Sequence, residues 1–120
     1  MPIMVGGNGP NVTWRLAARY ADELNVDGMS PDEVREALPT IHARCEEIGR
    51  DPASLAVSVH VWREMPEWSQ AGSARQALLA AYAELGVSRV MGLLHASVGS
   101  DEALEELAAD ARAASVELAT

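Results

Sequence analysis

The sequence predicts an α/β fold in which four parallel strands alternate with four helices. Short apolar runs typical of strands take turns with longer segments whose apolar residues recur at helical spacing. Alternation at this spacing indicates βαβ units, which place successive strands side by side and parallel. The chain has 120 residues and no linker-like stretch, so we expect a single domain over residues 1–120.

The first strand and the first helix are joined by a glycine-rich turn. The apolar run 2–5 ends in a Gly-Gly-Asn-Gly-Pro sequence at residues 6–10, and helical periodicity follows at once. Glycine permits positive φ and close approach of a ligand to the backbone. The first turn of a helix also offers unpaired N–H groups and partial positive charge. The turn therefore predicts a phosphate site, with a purely structural corner as the alternative.

A helix over residues 11–23 and a short strand over residues 24–27 come next. The apolar side of this helix is expected to comprise Val12, Leu16, Ala17, Tyr20 and Leu24. The second helix begins at a capping box, with Ser30 as the cap, Pro31 in the first turn and Glu33 completing the box. Pro39 lies inside this helix and predicts a kink or a split.

The clearest strand covers residues 55–62. Val57, Val59 and Val61 alternate with Ser58, His60 and Trp62, so the two sets face opposite sides of the sheet. The C-terminal ends of parallel strands are where such sheets bind their ligands. His60 and Trp62 are therefore candidates for a substrate pocket, with ordinary packing as the alternative.

The last part of the chain predicts a loop at 63–73, a helix at 74–85, a buried strand at 89–95 and a final helix capped by Ser100. The one cysteine, Cys45, falls on an apolar helical position and is expected to be a buried, reduced thiol.

Composition excludes several classes of function. The net charge is −9 and all nine basic residues are arginine, so we expect no nucleic-acid partner, no P-loop and no lysine Schiff base. No apolar run reaches membrane-spanning length and no spacing resembles a metal site, so we expect a cytoplasmic protein without a membrane or metal role.

A dinucleotide-binding module of Rossmann type is one alternative. Gly7 and Gly9 match the first two glycines of that fingerprint, and Asp27 lies about where the ribose-binding acid belongs. The third glycine would fall at position 12, where the chain has Val12.

Three blocks of the chain resemble the C-terminal half of the luciferase-like monooxygenases. They are residues 2–9 with 13–25 (PIMVGGNG and TWRLAARYADELN), residues 46–52 (EEIGRDP) and residues 85–90 (LGVSRV). The resemblance implies the second half of a (β/α)₈ TIM-type barrel and a cofactor that is either FMN or the deazaflavin coenzyme F-420. It also implies that the turn after the first strand holds the phosphate end of the cofactor, through Val5, Gly6, Gly7, Asn8 and Gly9.

The family's ring-contacting and acid–base residues lie mostly in the first half of its barrel, so no catalytic residue is assigned here. A full barrel needs roughly 250 residues. We therefore expect a C-terminal half-barrel that contributes to a flavin- or deazaflavin-dependent oxidoreductase acting on a small organic substrate. Its open edges predict either a homodimer or a missing N-terminal half, with a non-catalytic fragment as the alternative.

Overall fold

A computed structural model, which describes residues 1–118, contains one sheet of four strands. They are β1 (Met4–Gly6), β2 (Glu23–Asp27), β3 (Ala56–Val61) and β4 (Val90–Gly92). Neighbouring strands are parallel, in the order β1-β2-β3-β4. Within residues 1–118, β1 pairs only with β2 and β4 only with β3, so the sheet is not closed. The predicted fold class is confirmed, and the arrangement is consistent with part of a luciferase-like barrel.

Five helices in the described part of the chain connect or follow the strands. They are α1 (Thr13–Tyr20), α2 (Pro31–Glu46), α3 (Pro66–Ser69), α4 (Ser73–Glu84) and α5 (Glu102–Ala113), with 3₁₀ turns at Pro52–Ser54 and His95–Val98. Right-handed crossovers between strands in sequential order put the helices on one face of the sheet. This order has no reversal point, where Rossmann-type sheets bind dinucleotides. No helix of the described residues is both long and apolar enough to cross a membrane.

The side of the sheet that faces the helices is apolar. Val57, Val59 and Val61 of β3 are buried in the same core as Leu24 and Val26 of β2. The alternation predicted for β3 is therefore confirmed, and the residues between these valines face away from the helices.

The capping box at the start of α2 is confirmed. The Ser30 hydroxyl accepts from the Glu33 N–H at 3.2 Å, and the Glu33 carboxylate accepts from the Ser30 N–H at 2.8 Å. The split at Pro39 is wrong, because α2 runs unbroken to Glu46. Proline removes the hydrogen bond to the carbonyl four residues earlier. That carbonyl belongs to Arg35, which is exposed, so water can satisfy it.

The apolar side predicted for the first helix is wrong in part, because only Ala17 and Leu24 of the predicted residues are buried. Val12, Leu16 and Tyr20 are exposed, and the buried residues of this segment are Trp14, Ala17, Ala18 and Ala21. The helix begins at Thr13 and ends at Tyr20, because β2 already starts at Glu23. The small side chains of Ala17 and Ala18 let α1 approach the sheet closely, and Leu16 and Tyr20 lie outside this contact.

The last third also differs from its prediction. The strand expected at 89–95 spans only Val90–Gly92, and His95 begins a 3₁₀ turn. The cap of α5 is Asp101, and Ser100 does not cap it. The loop expected at 63–73 contains α3, whose Trp68 is buried.

Trp68 packs where Gly92 leaves room for it. A Cβ added at Gly92 would overlap the Trp68 ring and would lie 2.8 Å from Cγ2 of Val61. Glycine at this position therefore lets α3 close over the end of β4.

A buried ion pair joins α4 to α5. Arg75 donates through Nε to Asp110 at 2.7 Å, and both side chains are almost fully buried. Asp110 also accepts from Gln76 at 2.9 Å and from the Gly72 N–H at 3.0 Å. Burial opposes ionisation of Asp110, but these hydrogen bonds outweigh it and hold the pKa of the carboxyl below its ordinary value.

Two further contacts fix the helix layer. The Tyr82 hydroxyl on α4 donates to the Met29 carbonyl at 2.5 Å, which joins α4 to the loop before α2. Arg50, in the loop after α2, donates to the carbonyls of Ala18 and Ala21, each at 2.8 Å, and so caps the C-terminal end of α1. The neighbouring Asp51 accepts from the Ala53 N–H at 3.0 Å and caps the 3₁₀ turn.

Candidate functional site

The C-terminal ends of β1, β2 and β3 bring the predicted site residues to one edge of the sheet. The Gly-rich turn follows β1, Asp27 ends β2, and His60 and Trp62 lie at the end of β3. Asp27 and His60 are paired across the two strands in register. This is the edge at which parallel α/β sheets bind ligands.

The turn after β1 packs closely against the start of α1. Gly7 has a φ of +134°, a conformation that favours glycine. A Cβ on Gly9 would lie 3.0 Å from Oγ1 of Thr13, so the bare backbone allows this approach. Trp14 of α1 also binds the turn. Its indole N–H donates to the Gly7 carbonyl and its backbone N–H donates to the Gly9 carbonyl, each at 3.0 Å.

These contacts set the direction of the neighbouring N–H groups. In a planar trans peptide, the C=O of one residue and the N–H of the next point in opposite directions. The Gly7 carbonyl points at the Trp14 indole, so the Asn8 N–H points away from α1. Within residues 1–118, five N–H groups between the start of the turn and the first residue of α1 have no protein acceptor, namely those of Asn8, Gly9, Asn11, Val12 and Thr13.

Two arginines orient the second part of the turn. Arg44 on α2 donates through Nε to the Pro10 carbonyl at 2.8 Å, and Arg15 donates to the Asn11 carbonyl at 3.3 Å. By the same planarity, the N–H groups of Asn11 and Val12 point away from these guanidinium groups. The turn therefore presents backbone donors at the start of α1, where the helix dipole also favours an anion.

Asn8 ties this turn to the end of β2. Its side-chain amide donates to the Asp27 carbonyl and accepts from the Asp27 N–H, each at 2.8 Å. β1 has already ended at Gly6, so the side chain of Asn8 takes the place of a strand backbone. The turn is thus fixed relative to β2 by the Asn8 side chain, in addition to the Gly7 N–H, which donates to the Asn25 carbonyl at 2.9 Å.

An aromatic pair lies at the end of β3. The rings of His60 and Trp62 are 4.2 Å apart between centroids and tilted by 43°. The Trp62 indole N–H donates to Oδ1 of Asp27 at 2.7 Å, and Nδ1 of His60 lies 3.8 Å from the same oxygen. Trp62 is 46% exposed although its ring is held on two sides.

The face of the sheet away from the helices carries a polar network. Asn25 donates to the Ser58 hydroxyl at 2.8 Å, and that hydroxyl donates to Glu23. Arg89 binds both oxygens of Glu23, at 2.8 and 2.9 Å. Burial opposes ionisation of Glu23, but the bonds from Arg89 and Ser58 outweigh it and hold the pKa of this carboxyl below its ordinary value.

The predicted site residues lie at one edge of the sheet, but some can contact a ligand only through the backbone and others through their side chains. The Val5 side chain packs against the core, so only its backbone can face a ligand there. Gly6, Gly7 and Gly9 offer backbone alone. The sequence did not identify Asp27 as the link between the turn and the aromatic pair, because that link depends on strand register.

The described residues 1–118 contain no group of three or more His, Cys, Asp or Glu side chains that could hold a metal ion. A family model described as luciferase-like monooxygenase matches residues 1–117. No curated protein matches the chain.

Proposed function

Because the chain belongs to the luciferase-like monooxygenase family, we propose that it grips the phosphate end of a flavin-type cofactor in an oxidoreductase. The observation that carries this proposal is the set of N–H groups after β1 that have no acceptor among residues 1–118. Several convergent backbone donors at a helix start are a common way to bind a phosphate without lysine.

The cofactor is FMN or the deazaflavin coenzyme F-420, and the residues that hold its phosphate end are Val5, Gly6, Gly7, Asn8 and Gly9. His60 and Trp62 line the substrate pocket at the neighbouring strand end, where the small organic substrate meets the ring of the cofactor. When bound, the cofactor supplies the redox chemistry, while the chain binds and orients it. No catalytic residue is assigned.

A complete barrel requires four more strands beside β1 and β4. We propose that a second copy of the chain or an N-terminal half supplies them. Large apolar side chains near both open edges support this, since Ile3, Met4 and Leu93 are about half exposed. A well-folded monomer in light scattering that binds cofactor fully would contradict this part of the proposal.

A cytoplasmic location is part of the same proposal. It is supported by Cys45, which is a free and buried thiol, as is usual in a reducing compartment.

The test is a fluorescence titration of FMN and of coenzyme F-420 into the purified chain. Gly7→Val should weaken binding at least tenfold, because its φ of +134° and the Cγ2 of Thr13, 3.1 Å from an added Cβ, leave no place for a side chain. Gly99→Ala is the matched control, since its φ is negative and nothing lies within 4 Å of an added Cβ. Circular dichroism checks that both variants fold.

Failure of the wild-type chain to bind either cofactor would refute the proposal and favour the non-catalytic fragment. Binding of NAD(P) instead, seen as a raised melting temperature, would favour the Rossmann-like alternative.

A further inference from the structure

We propose that Asp27 is a positioning residue that holds Trp62 as a fixed aromatic platform for a planar ligand ring beside the phosphate turn. The inference rests on the proposed function, since the ring belongs to a ligand whose phosphate lies in that turn. It adds a role for the Asp27 carboxylate, which accepts from the Trp62 indole N–H.

Asp27 is bonded on two sides by separate groups. Its backbone N–H and C=O are both taken by the side chain of Asn8, and its carboxylate accepts from the indole of Trp62. One residue therefore joins the turn after β1 to the aromatic side chain after β3. The turn and the indole are therefore both hydrogen-bonded to the residue that ends β2.

The indole of Trp62 is restrained at its edge and beside its ring. The centroid of the His60 ring lies 4.2 Å from that of Trp62, and an added Cβ at Gly28 would be 3.4 Å from Cδ1 of Trp62, so the bare Cα of Gly28 leaves room for the indole. The hydrogen bond to Asp27 fixes the rotation of the ring about its own side-chain bonds. About half of the residue is still exposed, so part of the indole remains accessible to a ligand.

A fixed, half-exposed indole suits a planar aromatic ligand. Tryptophan offers a large apolar face at little entropic cost, and offset stacking favours an aromatic partner. The nearby Asp27 carboxylate makes this place unfavourable for an anionic ring substituent, so the geometry points to an uncharged or electron-poor ring. Without Asp27 the indole would adopt several orientations and would have to be ordered on binding.

The first measurement needs no ligand. In ¹H–¹⁵N spectra the indole N–H of Trp62 should move upfield and exchange faster in Asp27→Ala, because its acceptor is lost. Asp27→Asn keeps an acceptor oxygen and should restore most of the wild-type signal. The indoles of Trp14 and Trp68, which donate to backbone carbonyls, should not move. An unmoved Trp62 signal in Asp27→Ala would overturn the inference.

The second measurement uses FMN as the probe. Asp27→Ala should weaken FMN binding by about five- to tenfold, which is the scale of one aromatic stacking contact. Asp27→Asn should bind within about twofold of wild type. Trp62→Phe removes the N–H, so adding Asp27→Ala to it should cost less than twofold more. Asp101→Ala, an exposed aspartate at the start of α5, is the control.

The outcomes separate the two proposals. If Asp27→Ala moves the indole signal but leaves FMN binding unchanged while Gly7→Val abolishes it, the platform is overturned and the phosphate site stands. If the wild-type chain binds coenzyme F-420 and not FMN, the same fold-changes in affinity are expected of the same variants with coenzyme F-420 as the probe. If neither binds, both proposals fall.

Discussion

Tyr82 should control the loss of stability at alkaline pH. Its side chain is 1% exposed, and burial raises its pKa to about 12, with smaller contributions from Glu33 and Glu67. An unfolded tyrosine ionises near pH 10. Because the folded pKa is the higher one, the contribution of Tyr82 is complete below pH 10 and is lost as the pH rises from about 10 to about 12.

The size of this loss follows from the two pKa values. At pH 11 the unfolded tyrosine is about 90% ionised and the folded one about 10%, which favours unfolding by a factor of about ten, or about 1.4 kcal/mol. The chain contains no lysine, so few other groups titrate in this range. Burial also raises the pKa of the Cys45 thiol, but that contribution is the same in wild type and in a Tyr82 variant.

Urea unfolding followed by circular dichroism at pH 8 and pH 11 tests this. At pH 8, Tyr82→Phe should be less stable by about 1–2 kcal/mol, since the Met29 carbonyl loses its donor. At pH 11 the difference should shrink by about 1.4 kcal/mol. Tyr20→Phe is the control, because Tyr20 is 61% exposed and should show no such change. A Tyr82→Phe difference that stays constant from pH 8 to pH 11 would refute the reasoning.

Three further changes test the packing by urea unfolding. Asp110→Asn leaves the buried Arg75 without a counter-charge and should lower the free energy of unfolding by about 3 kcal/mol at pH 7. The difference between variant and wild type should narrow in acid, because wild-type Asp110 then takes up its proton. A loss below about 1 kcal/mol would show that the pair is not buried. Gly92→Ala should cost about 1–3 kcal/mol and red-shift Trp68 fluorescence, because the new methyl group displaces that ring; unchanged emission would contradict the contact. Ser30→Ala should cost about 1 kcal/mol through the lost cap, whereas Ser100→Ala, which removes no cap, should be neutral.

Local signals in the sequence predicted most of the fold. The capping box needs only residues three apart, and the two faces of β3 need only alternation, so both were visible without the structure. The buried face of α1 was predicted only in part, because it depends on how closely that helix approaches the sheet. Helical periodicity predicted burial of large residues such as Leu16, whereas Ala18 and Ala21 are among the residues that are buried.

The candidate site was predictable only in part. The glycines of the turn carry their own signal, since their spacing and position between strand and helix are local. The bonds from Asn8 and Trp62 to Asp27 span 19 and 35 residues. They exist because β1, β2 and β3 pair in one particular register, which the sequence alone does not state.

The role of Arg50 shows that two kinds of segment carry the family resemblance of this chain. One kind stabilises the scaffold, and the other forms the proposed ligand site. The segment around Arg50 and Asp51 stabilises a helix end and a 3₁₀ turn, both remote from the strand ends that form the site. A protein that shared only this segment would share the scaffold and nothing more. Whether a relative has kept ligand binding should instead be judged on residues 5–9 and on Asp27, His60 and Trp62, because these residues form the proposed site.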